Sequence, residues 1–196
     1  MIDYAIDNFF HTIWSYVLTR LVFPKARLVR RPIYIRGKKG IVYGTGLTTG
    51  VGCRFDASSI VSTLIIGENA RFGDYVHINA NESVIIGDNL LTASKVFISD
   101  SSHGIYQGKH QDSPNSNPNE RTIITNPVVI GNNVWIGENA VILPGSRIGN
   151  GCVIGANTVV CGGTYPDGSM LVGAPATIIK QYNINSGKWE RVNNGG

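Results

Sequence analysis

The sequence predicts an all-β chain wound into a triangular prism of stacked parallel strands, and three observations predict it. Large apolar residues recur every six positions: Ile130, Ile136, Ile142, Ile148, Ile154 and Val160 follow one another without error, and Ile66, Phe72, Ile78 and then Ile86, Thr92, Ile98 show the same step earlier. Neither the helical period of 3.6 nor the alternation of a simple strand produces it. Composition agrees, with 24 Ile and 18 Val against 9 Leu and 10 Ala, because β-branched side chains suit a pleated surface. The third observation is a companion phase. Asn69, Asn81, Asn89, Asn133, Asn139 and Asn157, with Gly145 and Gly151, lie three residues after the aliphatic, and Asn and Gly accept positive φ cheaply. Each marks a corner. Three short sides and three corners close one coil, whose strands pair with those above and below at about 4.8 Å.

Residues 1–34 precede the coils as a helix and a basic segment. Over residues 2–23, Ile6, Phe9, Phe10, Ile13, Val17 and Leu21 recur at helical spacing, with Asp3 and Asp7 in the first turn and Pro24 after the end. The apolar face is expected to cover the open end of the prism, where strand edges lack partners. A second, compatible reading lays residues 2–39 on an anionic membrane surface. No acid stands between Asp7 and Asp56, a stretch holding Arg20, Lys25, Arg27, Arg30, Arg31, Arg36, Lys38, Lys39 and Arg54. The net charge of +4 is therefore a local patch, and with no recognised motif beside it nucleic acid is not an expected partner.

Residues 35–164 carry the repeat. Ile35, Ile41, Leu47 and Cys53 set the inward phase of an imperfect first set of coils, with residues inserted before Ile66 and again before Ile86. From residue 99 to 127 a loop rich in Ser, Asn and Pro interrupts the repeat, and loops of this length inside compact repeats usually carry function. Residues 165–196 leave the repeat as an exit segment and tail. Three cysteines without paired spacing fit a reducing compartment, and the first twenty residues lack a basic start and an unbroken apolar core. A cytoplasmic location is expected.

Chemistry is sought where the repeat breaks. The run VFISDSSHGIY, then the long loop, then VVIGNNVWIGENAVILPGSRIGNGCVIGANTVV closely resembles the maltose/galactoside acetyltransferase group of hexapeptide-repeat proteins. Within it the nearest look is to bacterial surface-polysaccharide O-acetyltransferases. The resemblance spans roughly residues 35–175 and implies a left-handed parallel β-helix. It also implies a homotrimer with active sites between subunits, and acetyl-CoA as co-substrate. His103 occupies the position of the general base, a role imidazole suits because its ordinary pKa of about 6.5 lets it accept a proton near neutrality. Asp100 or Glu138 would orient it. Trp135, Gly137, Glu138, Ala156, Cys161 and Gly162 would run beside the acetyl-CoA arm along one edge of the late coils, with Lys180 at its phosphates. Tyr75, His77, Asn79 and Asn81 would face the acceptor. Cys53 and Cys152 are read as packing residues.

The leading expectation is O-acetylation of a hexose in a capsule, exopolysaccharide or lipopolysaccharide precursor, free or lipid-linked. The alternatives are a small soluble acceptor such as serine, a free sugar or a drug, and a zinc-dependent carbonic-anhydrase-like protein. His77, His103 and His110 fall within 34 residues, but two of them share one polar loop, so no metal is expected.

Overall fold

A computed structural model describes residues 6–58, 60–61 and 63–192 of the chain. Asp3, expected in the first helical turn, and the side chain of Asp7 lie outside the described residues. The chain climbs through about seven turns of a β-solenoid. Face one stacks the parallel strands Leu28–Val29, Thr48–Thr49, Arg71–Phe72, Leu91–Thr92, Trp135–Ile136, Val153–Ile154 and Ser169–Val172. Two antiparallel strands, Thr177–Asn183 and Lys188–Arg191, extend it at the C-terminal end. Face two stacks Ile33–Arg36, Cys53–Ala57, His77–Ala80, Phe97–Ser99, Val141–Ile142 and Val159–Val160. Face three stacks Ile41–Tyr43, Leu64–Ile66, Val84–Ile86, Val128–Ile130, Ser146–Ile148 and Gly163–Tyr165.

Residues in register make the core. Ile35, Phe55, Ile78, Ile98, Ile142 and Val160 align on face two, and Tyr43, Ile66, Ile86, Ile130, Ile148 and Tyr165 on face three. Two edges of the prism are regular. At the first edge, between faces one and two, Gly52, Tyr75, Lys95, Asn139 and Asn157 have positive φ; at the third, between faces three and one, Gly46, Asn69, Asn89, Asn133 and Gly151 do. The coils approach closely at these edges. A Cβ on Gly137 would stand 2.6 Å from the backbone nitrogen of Ala156.

The second edge, between faces two and three, absorbs every insertion. Across it the inward residues step by eight (Ile35 to Tyr43), eleven (Phe55 to Ile66), eight (Ile78 to Ile86) and thirty-two (Ile98 to Ile130) before settling to six (Ile142 to Ile148). This corrects the expected phase of the first coils. A 3₁₀ turn at Lys38–Gly40 adds two residues, so the core positions after Ile35 are Tyr43, Thr49 and Phe55. Leu47 and Cys53 are buried in the companion phase that Ala70 and Val76 occupy one coil on. Asn81 is a second correction: it lies on the second edge and lacks positive φ.

The helix Ile6–Val22 meets the first coil in an unexpected orientation. Its buried residues are Ser15 and Thr19, while Phe9, Phe10, Ile13, Trp14, Val17 and Leu21 are exposed. Val29 N–H donates to Thr19 Oγ1 at 2.9 Å and Arg31 N–H to Ser15 Oγ at 3.1 Å. An edge strand needs acceptors for its N–H groups, which hydroxyls supply and aliphatic side chains cannot. The apolar plug at this end is instead Phe23, which is buried in the core and packs edge-to-face on Tyr43.

Candidate active site

His103 rises from the second edge. Ser101–His103 pairs antiparallel with Ile123–Thr125, a two-stranded ribbon standing apart from the three faces. Arg121 ties the loop beyond it, donating from Nη1 to the Tyr106 hydroxyl at 2.9 Å and from Nε to Ser116 Oγ at 3.0 Å. Ile105 N–H donates to Asp112 Oδ2 at 2.7 Å. His103 is exposed on this ordered support, and among the described residues no hydrogen bond engages its imidazole.

Asp100 does not orient that imidazole. It is fully buried, and its carboxylate accepts three consecutive backbone N–H groups: Asn81 at 2.9 Å, Glu82 at 2.8 Å and Ser83 at 2.7 Å. Its own carbonyl accepts from Asn126 N–H at 2.8 Å. The residue closes the corner that Asn81 was expected to make by positive φ, and it anchors both ends of the loop.

Beside the ribbon, Asn79 and Asn81 both donate from Nδ2 to Ser101 Oγ, at 3.1 and 2.7 Å. Three of the four expected acceptor-side residues, His77, Asn79 and Asn81, thus follow one another on one coil toward His103. His77 Nε2 stands 3.3 Å from Asp56 Oδ2 and its ring lies 5.1 Å from that of Phe97. Arg54 Nε reaches Asp56 at 2.7 Å and Arg36 Nε at 3.8 Å. A cleft of about 730 Å³, lined by Tyr34, Arg36, Arg54, Tyr75 and His77 among others, opens over these rows. Tyr75 itself stands exposed on the first edge at φ 57°. Asp56 and Ser101 were missed in the sequence. Ser101 was visible two residues before His103, but Asp56 meets His77 only through the register set by the irregular early coils.

The residues expected along the acetyl-CoA arm do not share one edge. Gly137, Glu138 and Ala156 lie on the first edge with exposed Trp135 beside them on face one, and Glu138 Oε2 accepts Ser94 N–H at 2.8 Å. Cys161 and Gly162 lie on the second edge, the edge of His103. Cys161 is exposed; Gly162 has φ 85° and donates its N–H to Ser146 Oγ at 3.1 Å. The reason is geometric: one step of six moves to the next edge, and only three steps return to the same one. Lys180 sits half-buried on Thr177–Asn183, opposite Met170.

Cys53 and Cys152 lie in the core, and burial pushes the Cys53 thiol up to about 11. Among the described residues no three His, Cys, Asp or Glu side chains are grouped as metal ligands would be.

Comparison with known proteins agrees with this architecture. Residues 127–162 match the family described as bacterial transferase hexapeptide (six repeats). The chain is 44% identical over 191 residues to WbbJ of Escherichia coli (strain K12), provisionally named a lipopolysaccharide biosynthesis O-acetyl transferase; the match covers 96% of this chain and 95% of that protein. AntD, an N-acyltransferase from Bacillus cereus solved with dTDP and 3-hydroxybutyryl-CoA, superposes with a TM-score of 0.68 at 19% identity, covering 87% of this chain and 89% of that one. A galactoside acetyltransferase in complex with coenzyme A gives a TM-score of 0.54 at 25% identity, covering 86% of this chain and 68% of that one. With a left-handed β-helix matched by those structures and a relative aligned over nearly its whole length, the chain belongs to the hexapeptide-repeat acetyltransferases.

Proposed function

We propose that the chain transfers an acetyl group from acetyl-CoA to a hydroxyl of a sugar in the biosynthesis of a surface polysaccharide, on the cytoplasmic side of the membrane. The His103 imidazole takes the proton of the sugar hydroxyl as its oxygen attacks the thioester carbonyl. The carbonyl oxygen gathers negative charge, which a backbone N–H at the cleft steadies. The C–S bond then breaks, and the thiolate of coenzyme A leaves with the proton that His103 held. The thioester is already activated, so no covalent enzyme intermediate is formed.

The observation that carries this proposal is the exposed, unengaged imidazole of His103 beside the Asn79–Ser101–Asn81 cluster, at the edge where the coils are interrupted. Trp135, Gly137, Glu138 and Ala156 on one edge, and Cys161 and Gly162 on the other, face the cofactor arm from two subunits of a trimer, with Lys180 at the phosphates. Similarity to WbbJ favours a lipopolysaccharide-type acceptor over a small soluble one.

The test measures release of the coenzyme A thiol against a panel of nucleotide-linked, lipid-linked and free sugars. His103→Ala is expected to lower turnover by at least about 100-fold while acetyl-CoA binding, measured by calorimetry, is retained. Full activity in that variant would remove His103 as the base.

A further inference from the structure

We propose that the N-terminal helix is a docking surface for an anionic lipid bilayer, lying flat on it with its apolar face inserted. The claim rests on the helix's orientation. At 100° per residue, Phe9, Ile13, Val17, Phe10, Leu21 and Trp14 occupy an arc of about 140°. All six are exposed, Leu21 at 75% and Phe10 at 64%. The opposite side, Ser15 and Thr19, is buried and spent on the N–H groups of Arg31 and Val29. The helix therefore cannot roll to hide its apolar face without breaking the bonds that close the first coil. Water is a poor neighbour for a contiguous patch of this kind.

Charge identifies the occupant. The helix runs into the stretch from residue 8 to 55 that holds no acid. Arg20 stands exposed in the last turn of the helix, about 20° inside one end of the apolar arc between Phe9 and Ile13, with its guanidinium drawn 4.8 Å over the Tyr16 ring just outside the arc. Lys25, Arg27, Lys38 and Lys39 are exposed just beyond the helix end. Asp74 approaches only the polar flank, in the cleft it lines with His11, Thr12 and Arg30. An apolar strip with a basic border is the pattern that inserts among acyl chains while cations meet anionic headgroups. A second copy of the same helix would instead bring like charges together. With 17 residues the helix is about 25 Å long, and no helix among the described residues is long and apolar enough to cross a membrane, so it lies in the interface plane.

Docking there would also set the reach of the site. His103 belongs to the fourth strand level of face two, three levels from Ile33–Arg36, so it would act roughly 15 Å beyond the helix end of the prism. That distance suits a sugar carried on a lipid-linked headgroup.

The test is vesicle flotation of the full chain, using phosphatidylethanolamine vesicles with and without 30% phosphatidylglycerol, a composition chosen to span about one anionic headgroup in three. Wild type is expected to float with the anionic vesicles and at least about tenfold less with the neutral ones. Combined Phe10→Ser, Trp14→Ser and Leu21→Ser should abolish flotation while thermal unfolding, light-scattering mass and acetyl transfer to a water-soluble sugar stay unchanged. Lys25→Glu with Lys39→Glu should lower flotation about tenfold. Absence of wild-type flotation, equal flotation on neutral vesicles, or a triple variant that still floats would each overturn the proposal. A drop in light-scattering mass of the triple variant would overturn it in favour of a second copy. Acetyl transfer is read separately, so failure of docking and failure of the catalytic proposal are distinguishable.

Discussion

At the scale of single residues, Asp100 shows how a short motif can be misread. Standing three residues before a candidate base, it has the spacing of an imidazole-orienting carboxylate. Burial and three N–H donors instead make it the cornerstone of the second edge. Replacing it by Ala would strip three amides of their acceptor, a loss of about 1 kcal/mol for each hydrogen bond, because Asn81 and Glu82 lie at the surface where water can take the carboxylate's place. Asp100→Ala is accordingly expected to lose about 3 kcal/mol or more in urea unfolding, and Asp100→Asn, which keeps an acceptor oxygen, to lose less. A variant with unchanged stability but a collapsed rate would return Asp100 to a positioning role. Asp56 is the converse case, unnoticed in the sequence and yet the point where Arg36, Arg54 and His77 converge.

At the scale of elements, the six-residue step holds wherever two coils stack through backbone alone. A Cβ on Gly73 would meet the carbonyl carbon and oxygen of Ala93 at 2.5 Å, and backbone cannot swing aside as a side chain can. Gly73→Ala should therefore destabilise the chain by about 1–3 kcal/mol, seen as a lower Tm with an unchanged light-scattering mass. The helix follows a different rule. Its amphipathic period was plain in the sequence, but which side faces inward was not, because edge N–H groups and the apolar core compete for it. Hydroxyls at Ser15 and Thr19 won, and the apolar side was left outside.

At the scale of the molecule, the candidate residues divide between two edges of one prism. Tyr75 on the first edge and Asn81 on the second are six residues apart, at most about 20 Å of extended chain. A site needing both sets is completed more readily by the second edge of one subunit facing the first edge of another. Coexpressing His103→Ala with Trp135→Ala tests this: in the proposed trimer, random mixing would return both partners to about a quarter of shared sites, and thiol release should recover accordingly. No recovery would place each site within a single chain.

Much of the fold was legible in the residues alone. Ile at the inward phase and Asn or Gly at the corners are local requirements, each satisfied within a few residues of where it is written. The break after Ile98, with His103 just beyond it, was legible for the same reason. The frame of the first coils was not, because the 3₁₀ turn at Lys38–Gly40 adds two residues, shifts the inward positions between Ile35 and Phe55, and carries no periodic signal. Nor could the sequence show that all insertions share one edge, that Asp100 serves Asn81, Glu82 and Ser83, or that the helix turns its hydroxyls inward. Those outcomes depend on which strands come into register, and register is decided by contacts between residues some twenty or more positions apart. Periodicity specifies a coil; only stacking decides what each coil holds against its neighbour.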